Sequence, residues 1–335
     1  MSLPARDHSK REGEGGACRV SLVATVRDEE ATLSEWWDSI LAQSRLPDEV
    51  VVVDGGSRDG TLEALRSLAR EAPFPVRLEV LPGSNIARGR NRAVSLAGGD
   101  VIAVSDAGCV LHPRWLENLL APMEADPGVE LVAGFYQPLA RGWFEHLAAC
   151  ATLPLPWEVR EARFMPSSRS LAFRREVWEK VGGYPEWLPI GEDMYFNHCW
   201  KRLGIRHRLN KEALVWWRMR PDLLSLLRQY FLYARGDGEA GMYPQRHAVR
   251  FLAYGWLACV AATERGRRLR VPTAAAAALY VGRRWLRVPF HMRGRGALEG
   301  AAAFFALPAL LFLIDAAKMA GYLAGLRSRA GRVRQ

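Results

Sequence analysis

The chain has 335 residues, of which 49% are hydrophobic and 24% are charged, and its formal net charge is +10. This balance excludes a disordered or fibrous protein, and the length suits either one large domain or a domain with an appendage. The five cysteines are odd in number and have no Cys-x-x-Cys spacing, which argues against a disulfide framework or a zinc site and favours a reducing, cytosolic setting.

The predicted elements begin after a charged, glycine-rich segment, residues 1–18, which has no apolar core of signal-peptide length and is predicted to be a flexible tail. From residue 19 onwards, strands alternate with helices. Strands are predicted at 19–26, 49–57, 76–81 and 100–106, and helices at 29–44, 59–72, 84–99 and 112–125. Alternation of this kind predicts a parallel sheet with right-handed crossovers.

Polar residues follow three of these strands. Thr25 and Arg27 come at the end of the first strand, Asp54 ends the second, and Asp106 ends the fourth. Ligands of such sheets bind at the carboxyl ends of the strands, so these side chains should face one crevice. Each of them taken singly could be an ordinary turn residue. Taken together, they favour a ligand site.

The segment "VIAVSDAGCV", residues 101–110, reads as a buried strand that ends in Asp106. An Asp-x-Asp sequence at this place would hold a divalent cation against a diphosphate, because hard cations take carboxylate oxygens and share the phosphates of their ligand. Here the second carboxylate is replaced by Gly108. A damaged cation site, a variant of one and a coincidence all remain open at this point.

The C-terminal third combines apolar segments with arginine clusters. The apolar segments lie at 251–262, 271–282 and 300–314, and the arginine clusters include those at 282–287 and 327–334. This pattern favours lipid headgroups over nucleic acid, since it lacks the aromatic and basic interleaving of a single-strand binder. Asp315 and Lys318 interrupt the longest apolar run. Interfacial helices, one imperfect span and a buried helical appendage therefore all remain open.

Six motifs resemble those of the nucleotide-sugar-dependent glycosyltransferases of family 2, which have the GT-A fold. They are "VATVRDEE" (23–30), "VVVDGGSRDGT" (51–61), "ARGRNRAVSLAGGDVIAVSDAGC" (87–109), "RSLAFRREVWEKVGGYPE" (169–186), "GEDMYFNHCWKRLG" (191–204) and "RQYFLYARGDG" (228–238). The resemblance covers residues 19–240 and implies a Rossmann-like α/β/α sandwich with a mainly parallel sheet. Within it, 19–110 would bind the nucleotide and 111–240 would hold the acceptor and catalytic half. Residues 241–335 would follow as a helical, partly hydrophobic, membrane-associated region.

The resemblance also implies which residues bind the nucleotide sugar. Asp54 is implied to accept a hydrogen bond from the base, and Arg90 to engage phosphate or support the nearby carboxylates. The full set is Thr25, Arg27, Glu29, Asp54, Arg90, Asn91 and Asp106, with Arg228, Gln229 and Arg235 closing over the diphosphate. Asp106 matches the first aspartate of the family's Asp-x-Asp and is the predicted metal ligand. A retained but weaker Mg or Mn site is expected, with direct neutralisation of the diphosphate by arginines as the alternative.

Asp193 in "GEDMYF" matches the aspartate that the family resemblance implies to be the catalytic base, and Glu192 is implied to orient the site. Adjacent residues of a helix do not share a face, so the two acids should have different roles. The alternative is that both merely stabilise a helix N-terminus.

The predicted activity is inverting transfer of a sugar from a nucleoside-diphosphate sugar to an acceptor hydroxyl, in glycolipid or cell-surface polysaccharide synthesis. The Gln-x-x-Arg-Trp motif of processive enzymes does not occur as such, which favours single addition. The predicted partners are the sugar nucleotide, a lipid-linked or saccharide acceptor and the membrane surface, without nucleic acid. The expected location is the cytoplasmic face of the cell membrane, or else the cytoplasm. A catalytically weak binding or scaffold protein of the same fold is the alternative function.

Overall fold

The computed structural model describes residues 18–263 and 268–333. The predicted N-terminal tail lies outside these residues, except for Cys18. The arginine-rich segment 327–334 is described as far as residue 333 in its backbone and as far as residue 331 in its side chains.

The described residues form an eight-stranded mixed sheet in the order β3-β2-β1-β4-β7-β6-β8-β5. The first four positions in that order pair in parallel, β7 is antiparallel to both β4 and β6, and β8 is parallel to β6. The strands are β1 (Val20–Val26), β2 (Glu49–Asp54), β3 (Val76–Val80), β4 (Val101–Val104), β5 (Cys109–Leu111), β6 (Leu131–Leu139), β7 (Leu171–Arg174) and β8 (His207–Arg218). The four predicted strands and their parallel arrangement are therefore confirmed.

Helices cover both faces of the sheet. Side chains of α1 (Glu30–Leu41), α2 (Thr61–Glu71) and α4 (Trp115–Ala125) form one apolar core with the sheet. Side chains of α3 (Ile86–Leu96), α6 (Arg175–Val181) and α7 (Glu192–Arg202) form a second core on the opposite face. All six residues of β2 are buried, as expected for a central strand covered on both sides. The predicted α/β/α sandwich is confirmed.

The C-terminal region is helical. Its elements are α8 (Leu223–Ala240), α9 (Pro244–Ala262), α10 (Arg270–Trp285), α11 (Val288–His291) and α12 (Ala297–Val333), while α5 (Trp143–Thr152) packs against it from the catalytic half. The division of the chain at residue 240 stays a prediction. In the structure, α8 and α12, which lie on either side of this position, pack closely against each other.

Glycines make the close contact between α8 and α12 possible. A Cβ atom on Gly325 would lie 2.1 Å from the carbonyl oxygen of Arg235, and one on Gly321 would lie 2.1 Å from that of Phe231. On the facing helix, a Cβ on Gly238 would lie 2.5 Å from the carbonyl oxygen of Tyr322. Because the obstructing atoms belong to the backbone, a side chain at these positions would force the two helices apart.

We expect Gly325→Ala to lower the free energy of unfolding by about 1–3 kcal/mol, the usual cost of overpacking. Gly300→Ala is a matched control, because it lies in the same helix and a Cβ there has no atom within 4 Å. That variant should be neutral, or stabilising by up to about 1 kcal/mol through helix propensity. Urea titration of both variants tests this, and equal stabilities would contradict the packing argument.

Asp315 lies inside the C-terminal bundle, although it was expected to interrupt an apolar run. It is 4% exposed and accepts hydrogen bonds from Arg250 Nε at 2.9 Å, Tyr254 Oη at 3.0 Å and Tyr280 Oη at 2.8 Å. Its carboxylate therefore joins α9, α10 and α12. Lys318 is also accommodated within the bundle, with its Nζ 4.5 Å from the centre of the Tyr230 ring.

One helix of the described chain, over Ala297–Gly331, is long and apolar enough to cross a membrane, and 28% of its apolar stretch is buried within the protein. A single helix of this kind is weak evidence for a span, since core helices of other proteins meet the same requirements. Large apolar side chains are nevertheless exposed on three neighbouring helices of the bundle, among them Leu252, Val271, Leu279 and Phe305.

Candidate active site

The candidate site lies at the carboxyl ends of β1, β2 and β4, where the sequence predicts the ligand crevice. The loop after β1 is tied to the loop after β2, because the Asp28 amide donates to Ser57 Oγ at 2.9 Å and Asp28 Oδ1 accepts from the Arg58 amide at 2.8 Å. Asp28 adopts a left-handed conformation with φ of 55°. This link brings the loop that carries the predicted residues Arg27 and Glu29 beside the loop that follows Asp54.

Asp54 is 2% exposed, and within the described residues only the Oδ1 atom of its carboxylate accepts hydrogen bonds. Oδ1 accepts from the amides of Gly56 at 2.5 Å and Ser57 at 2.7 Å, which fixes the side chain at the end of β2. Oδ2 is buried and has no hydrogen-bond partner in the described part of the chain. Since buried polar atoms are normally paired, Oδ2 can accept a hydrogen bond from a ligand.

Helix α3 approaches β1 closely enough to bring Arg90 into the crevice. A Cβ atom on Gly89 would lie 2.3 Å from Thr25 Oγ1, so only glycine allows this approach. The helix is capped by Asn85, whose side chain accepts from the Arg88 amide at 2.9 Å.

Arg90 is 3% exposed and bridges two acidic residues. Its Nη1 donates to Glu192 Oε1 at 2.5 Å, and its Nη2 donates to Asp106 Oδ1 at 2.7 Å. Burial raises the pKa of Glu192, and the negative charge of Asp193 adds to this effect, so that its pKa reaches about 7 despite Arg90. Arg90 thereby joins the end of β4 to the start of α7, 102 residues further along the chain than Arg90 itself.

A second arginine, Arg169, lies on the other side of Asp106. Its Nε is 4.0 Å from Asp106 Oδ2, and its guanidinium carbon is 4.1 Å from the centre of the Trp217 ring and 5.4 Å from that of Tyr136. Burial acts to raise the pKa of Asp106, but the charges of Arg90 and Arg169 hold that pKa below its usual value. Arg169 opens one of the quoted motifs but is not among the residues predicted to bind the nucleotide sugar. The antiparallel pairing of β4 with β7 is the feature that brings Arg169 to Asp106.

The surroundings of Asp106 do not fit a divalent cation held by the protein. No group of three or more His, Cys, Asp or Glu residues that could hold a metal ion occurs among residues 18–263 and 268–333. The two oxygens of Asp106 face guanidinium groups instead of further oxygen ligands. Gly108 does not have positive φ, and a Cβ there would have no atom within 4 Å. The role of Asp106 as a cation ligand stays a prediction.

The two acids at the start of α7 have different environments. Gly191 precedes the helix in a left-handed conformation with φ of 87°, which turns the chain into the crevice. Glu192 is 5% exposed and engaged by Arg90, whereas Asp193 is half-buried and accepts from Ser167 Oγ at 3.2 Å. Asp193 is thus the more accessible carboxylate of the pair.

The remaining predicted residues are more dispersed. Asn91 bonds to the turn before α7, since its Nδ2 donates to the Tyr184 carbonyl at 2.8 Å and its Oδ1 accepts from the Tyr184 amide at 2.8 Å. On α8, Gln229 accepts from Arg220 Nε at 3.2 Å and donates to Tyr233 Oη at 2.7 Å. The two predicted arginines of this helix differ: Arg235 donates to Glu239 Oε1 at 2.8 Å, and Arg228 is exposed.

The model of the family described as "Glycosyl transferase family 2" matches residues 21–180, which include Asp54, Arg90, Asp106 and Arg169. Residues 21–180 therefore form a glycosyltransferase family 2 domain. The two acids at the start of α7 lie beyond the matched residues.

Among curated relatives of this family 2 glycosyltransferase, the glycosyltransferase AglE of Haloferax volcanii is 28% identical over 233 residues, which is 67% of this chain and 74% of that protein. The succinoglycan biosynthesis protein ExoA of Rhizobium meliloti is 28% identical over 199 residues, or 57% of this chain and 60% of that protein. The protein is therefore a glycosyltransferase that resembles enzymes of both archaea and bacteria.

The fold of the family 2 glycosyltransferase is similar to that of the mannosyltransferase PcManGT from Pyrobaculum calidifontis, whose solved structure is a complex with GDP-Man and Mn²⁺. The TM-score is 0.57 at 23% sequence identity, and the match covers 94% of this chain and 89% of that one. The similarity extends through the C-terminal helices as well as the sheet, and it shows that the fold expected from the sequence is correct.

Proposed function

We propose that this family 2 glycosyltransferase transfers one sugar from a nucleoside-diphosphate sugar to an acceptor hydroxyl, with inversion at the anomeric carbon. The observation that carries the proposal is the unpartnered, buried Oδ2 of Asp54, at the same edge of the sheet as Asp106. A ring N–H of a nucleobase would supply the missing donor. The sugar and diphosphate would then extend from Asp54 towards Asp106 and Asp193.

In this reaction the acceptor oxygen attacks the anomeric carbon and forms the new glycosidic bond. The bond between that carbon and the diphosphate oxygen breaks, and its electron pair leaves with the nucleoside diphosphate. The acceptor proton passes to the Asp193 carboxylate, which is half-buried and accepts from Ser167 Oγ at 3.2 Å. Glu192 is less suited to this role because Arg90 already engages it. Its proposed function is to orient Arg90.

We propose a lipid-linked or saccharide acceptor at a membrane surface. The name of the Rhizobium relative, a succinoglycan biosynthesis protein, supports a role in polysaccharide synthesis. The exposed apolar side chains of α9, α10 and α12, with Arg283, Arg284 and Arg293 nearby in sequence, support contact with anionic lipid headgroups. Single addition and location at the cytoplasmic face of the membrane belong to the same proposal.

The Mn²⁺ in the mannosyltransferase complex supports the use of a divalent cation within this fold. In this chain, Asp106 would be its ligand, and the diphosphate and water would have to supply the others. Because the two arginines beside Asp106 do not fit such a site, the proposed reaction contains no step through a cation.

The proposed role of Asp54 predicts that Asp54→Ala weakens binding of the free nucleoside diphosphate by about 1.5–3 kcal/mol, the usual contribution of a hydrogen bond to a charged group. Titration calorimetry with UDP and GDP measures this effect. Asp38→Ala is the control, because Asp38 is an exposed acid of α1 and its removal changes the net charge equally. An unchanged affinity in a folded Asp54→Ala protein would refute the proposed role.

A further inference from the structure

We propose that Arg169 binds the diphosphate of the donor directly and supplies the positive charge that a divalent cation provides in an Asp-x-Asp site. The inference rests on the proposed use of a nucleoside-diphosphate sugar. Arg169 is not among the residues that the sequence predicts to bind the nucleotide sugar. The inference follows from the arginines beside Asp106, which do not fit a cation site.

The position of Arg169 follows from the pairing of two strands. β4 and β7 are antiparallel, and Val104 lies opposite Leu171. Asp106 lies two residues beyond the end of β4, and Arg169 lies two residues before Leu171. Continuing the antiparallel register therefore brings Asp106 and Arg169 to the same edge of the sheet. The distance of 4.0 Å between Arg169 Nε and Asp106 Oδ2 agrees with this register. Arg169 therefore lies at the carboxyl end of β4, where the diphosphate is expected.

The guanidinium of Arg169 is held in place but is not saturated with hydrogen bonds. It lies over the Trp217 ring and near that of Tyr136, and cation–π contacts of this kind fix its plane. Its side chain is 13% exposed. The Nε atom is buried and has no hydrogen-bond partner within the described part of the chain. An unpaired buried donor is costly, and a phosphate oxygen would pair with it in the geometry that guanidinium groups favour.

The charges also favour this assignment. Two carboxylates and a divalent cation carry no net charge together, and neither do Asp106 and Arg169. Loss of the second carboxylate at Gly108 and the presence of a fixed cation beside Asp106 thus leave the charge that faces the diphosphate unchanged. Arg90 and Glu192 would lie beside either kind of site and do not alter this comparison. A divalent ion bound to Asp106 would instead be repelled by two neighbouring guanidinium groups.

Titration calorimetry tests the inference by comparing the binding of UDP with that of UMP, and the binding of GDP with that of GMP. Each titration is carried out in excess EDTA and again in MnCl₂. We expect the wild type to bind one diphosphate in EDTA and Mn²⁺ to change that affinity by less than about threefold. Arg169→Gln should weaken diphosphate binding by about tenfold or more, the effect of losing a charge-assisted hydrogen bond. Monophosphate binding should change by less than about threefold, because the β-phosphate is missing.

Two further variants separate charge from folding. Arg92→Gln removes the same charge from the outer face of α3, where Arg92 pairs with Glu79, and should leave diphosphate binding unchanged. Arg169→Lys keeps the charge and should lose less affinity than Arg169→Gln, so the comparison still holds if the glutamine variant is poorly folded. Equal affinities of the wild type and the folded Arg169 variants for the diphosphate would overturn the inference.

The double variant Gly108→Asp/Arg169→Gln should bind the diphosphate more tightly in MnCl₂ than in EDTA, because the space at Gly108 accepts a second carboxylate and one of the two guanidinium groups beside Asp106 is gone. If Mn²⁺ did not change the affinity of this variant for the diphosphate, the proposal that Arg169 takes the place of a divalent cation would be contradicted. If the wild type bound the diphosphate only with Mn²⁺, the inference about Arg169 would be overturned, but the proposed donor would not. Wild-type protein that binds no nucleoside diphosphate under either condition would overturn the proposed donor, and the inference with it.

Discussion

Asp193→Asn is expected to lower the rate of sugar transfer by about 10²–10⁴-fold, the usual contribution of general base catalysis. The substitution removes the proton acceptor while keeping the size of the side chain. Nucleotide affinity should stay within about threefold of the wild type, because the Asp54 and Arg169 contacts are unaltered. Initial rates of nucleoside diphosphate release at saturating donor, together with calorimetry, measure both quantities.

The control for this prediction is Asp222→Asn, which changes an exposed acid that caps α8 and should leave the rate of transfer near that of the wild type. If Asp193→Asn retained more than about a tenth of the wild-type rate, another group would have to accept the acceptor proton. A parallel loss of nucleotide affinity would point to a structural role for Asp193.

Arg90→Met is expected to lower the free energy of unfolding by about 3–5 kcal/mol, because it leaves the buried carboxylate of Glu192 without its partner and removes the closer of the two arginines beside Asp106. The size of the effect follows from the geometry, since both ion pairs are at hydrogen-bond distance and Arg90 is 3% exposed. Reversible chemical denaturation of the wild type and the variant measures it.

Two companion variants make this stability prediction specific. Arg92→Met breaks the more exposed pair with Glu79 and should cost no more than about 1 kcal/mol. Adding Glu192→Gln to Arg90→Met removes the buried carboxylate that has lost its partner and should recover part of the lost stability. Equal costs for the Arg90 and Arg92 variants would mean that the Arg90 bridge contributes little to folding.

The first half of the fold could be predicted from the sequence because its information is local. Each strand from β1 to β4 is an apolar run followed by an amphipathic helix, and the rule for parallel sheets then brings Asp54 and Asp106 to one edge. The contacts of the site could not be predicted in the same way. Arg90 and Glu192 are 102 residues apart in the chain, and only tertiary packing brings their side chains together.

Arg169 and Asp315 show two further limits of the sequence pattern. Arg169 reaches Asp106 through an antiparallel pairing of β4 with β7, which the alternation of strands and helices does not indicate. Asp315 interrupts an apolar run along its own helix, yet it is buried because Arg250, Tyr254 and Tyr280 donate to it from two other helices. Hydropathy along one segment contains no information about donors on its neighbours.

The central claim, that the protein transfers a sugar from a nucleoside-diphosphate sugar, is tested most directly by release of nucleoside diphosphate from a panel of UDP-, GDP- and dTDP-sugars, with and without a membrane extract as the source of acceptor. We expect one member of the panel to be consumed, with release that depends on the extract and falls by about 10²–10⁴-fold in Asp193→Asn. Tight nucleotide binding without consumption of any sugar nucleotide would contradict the claim and favour a binding protein of the same fold.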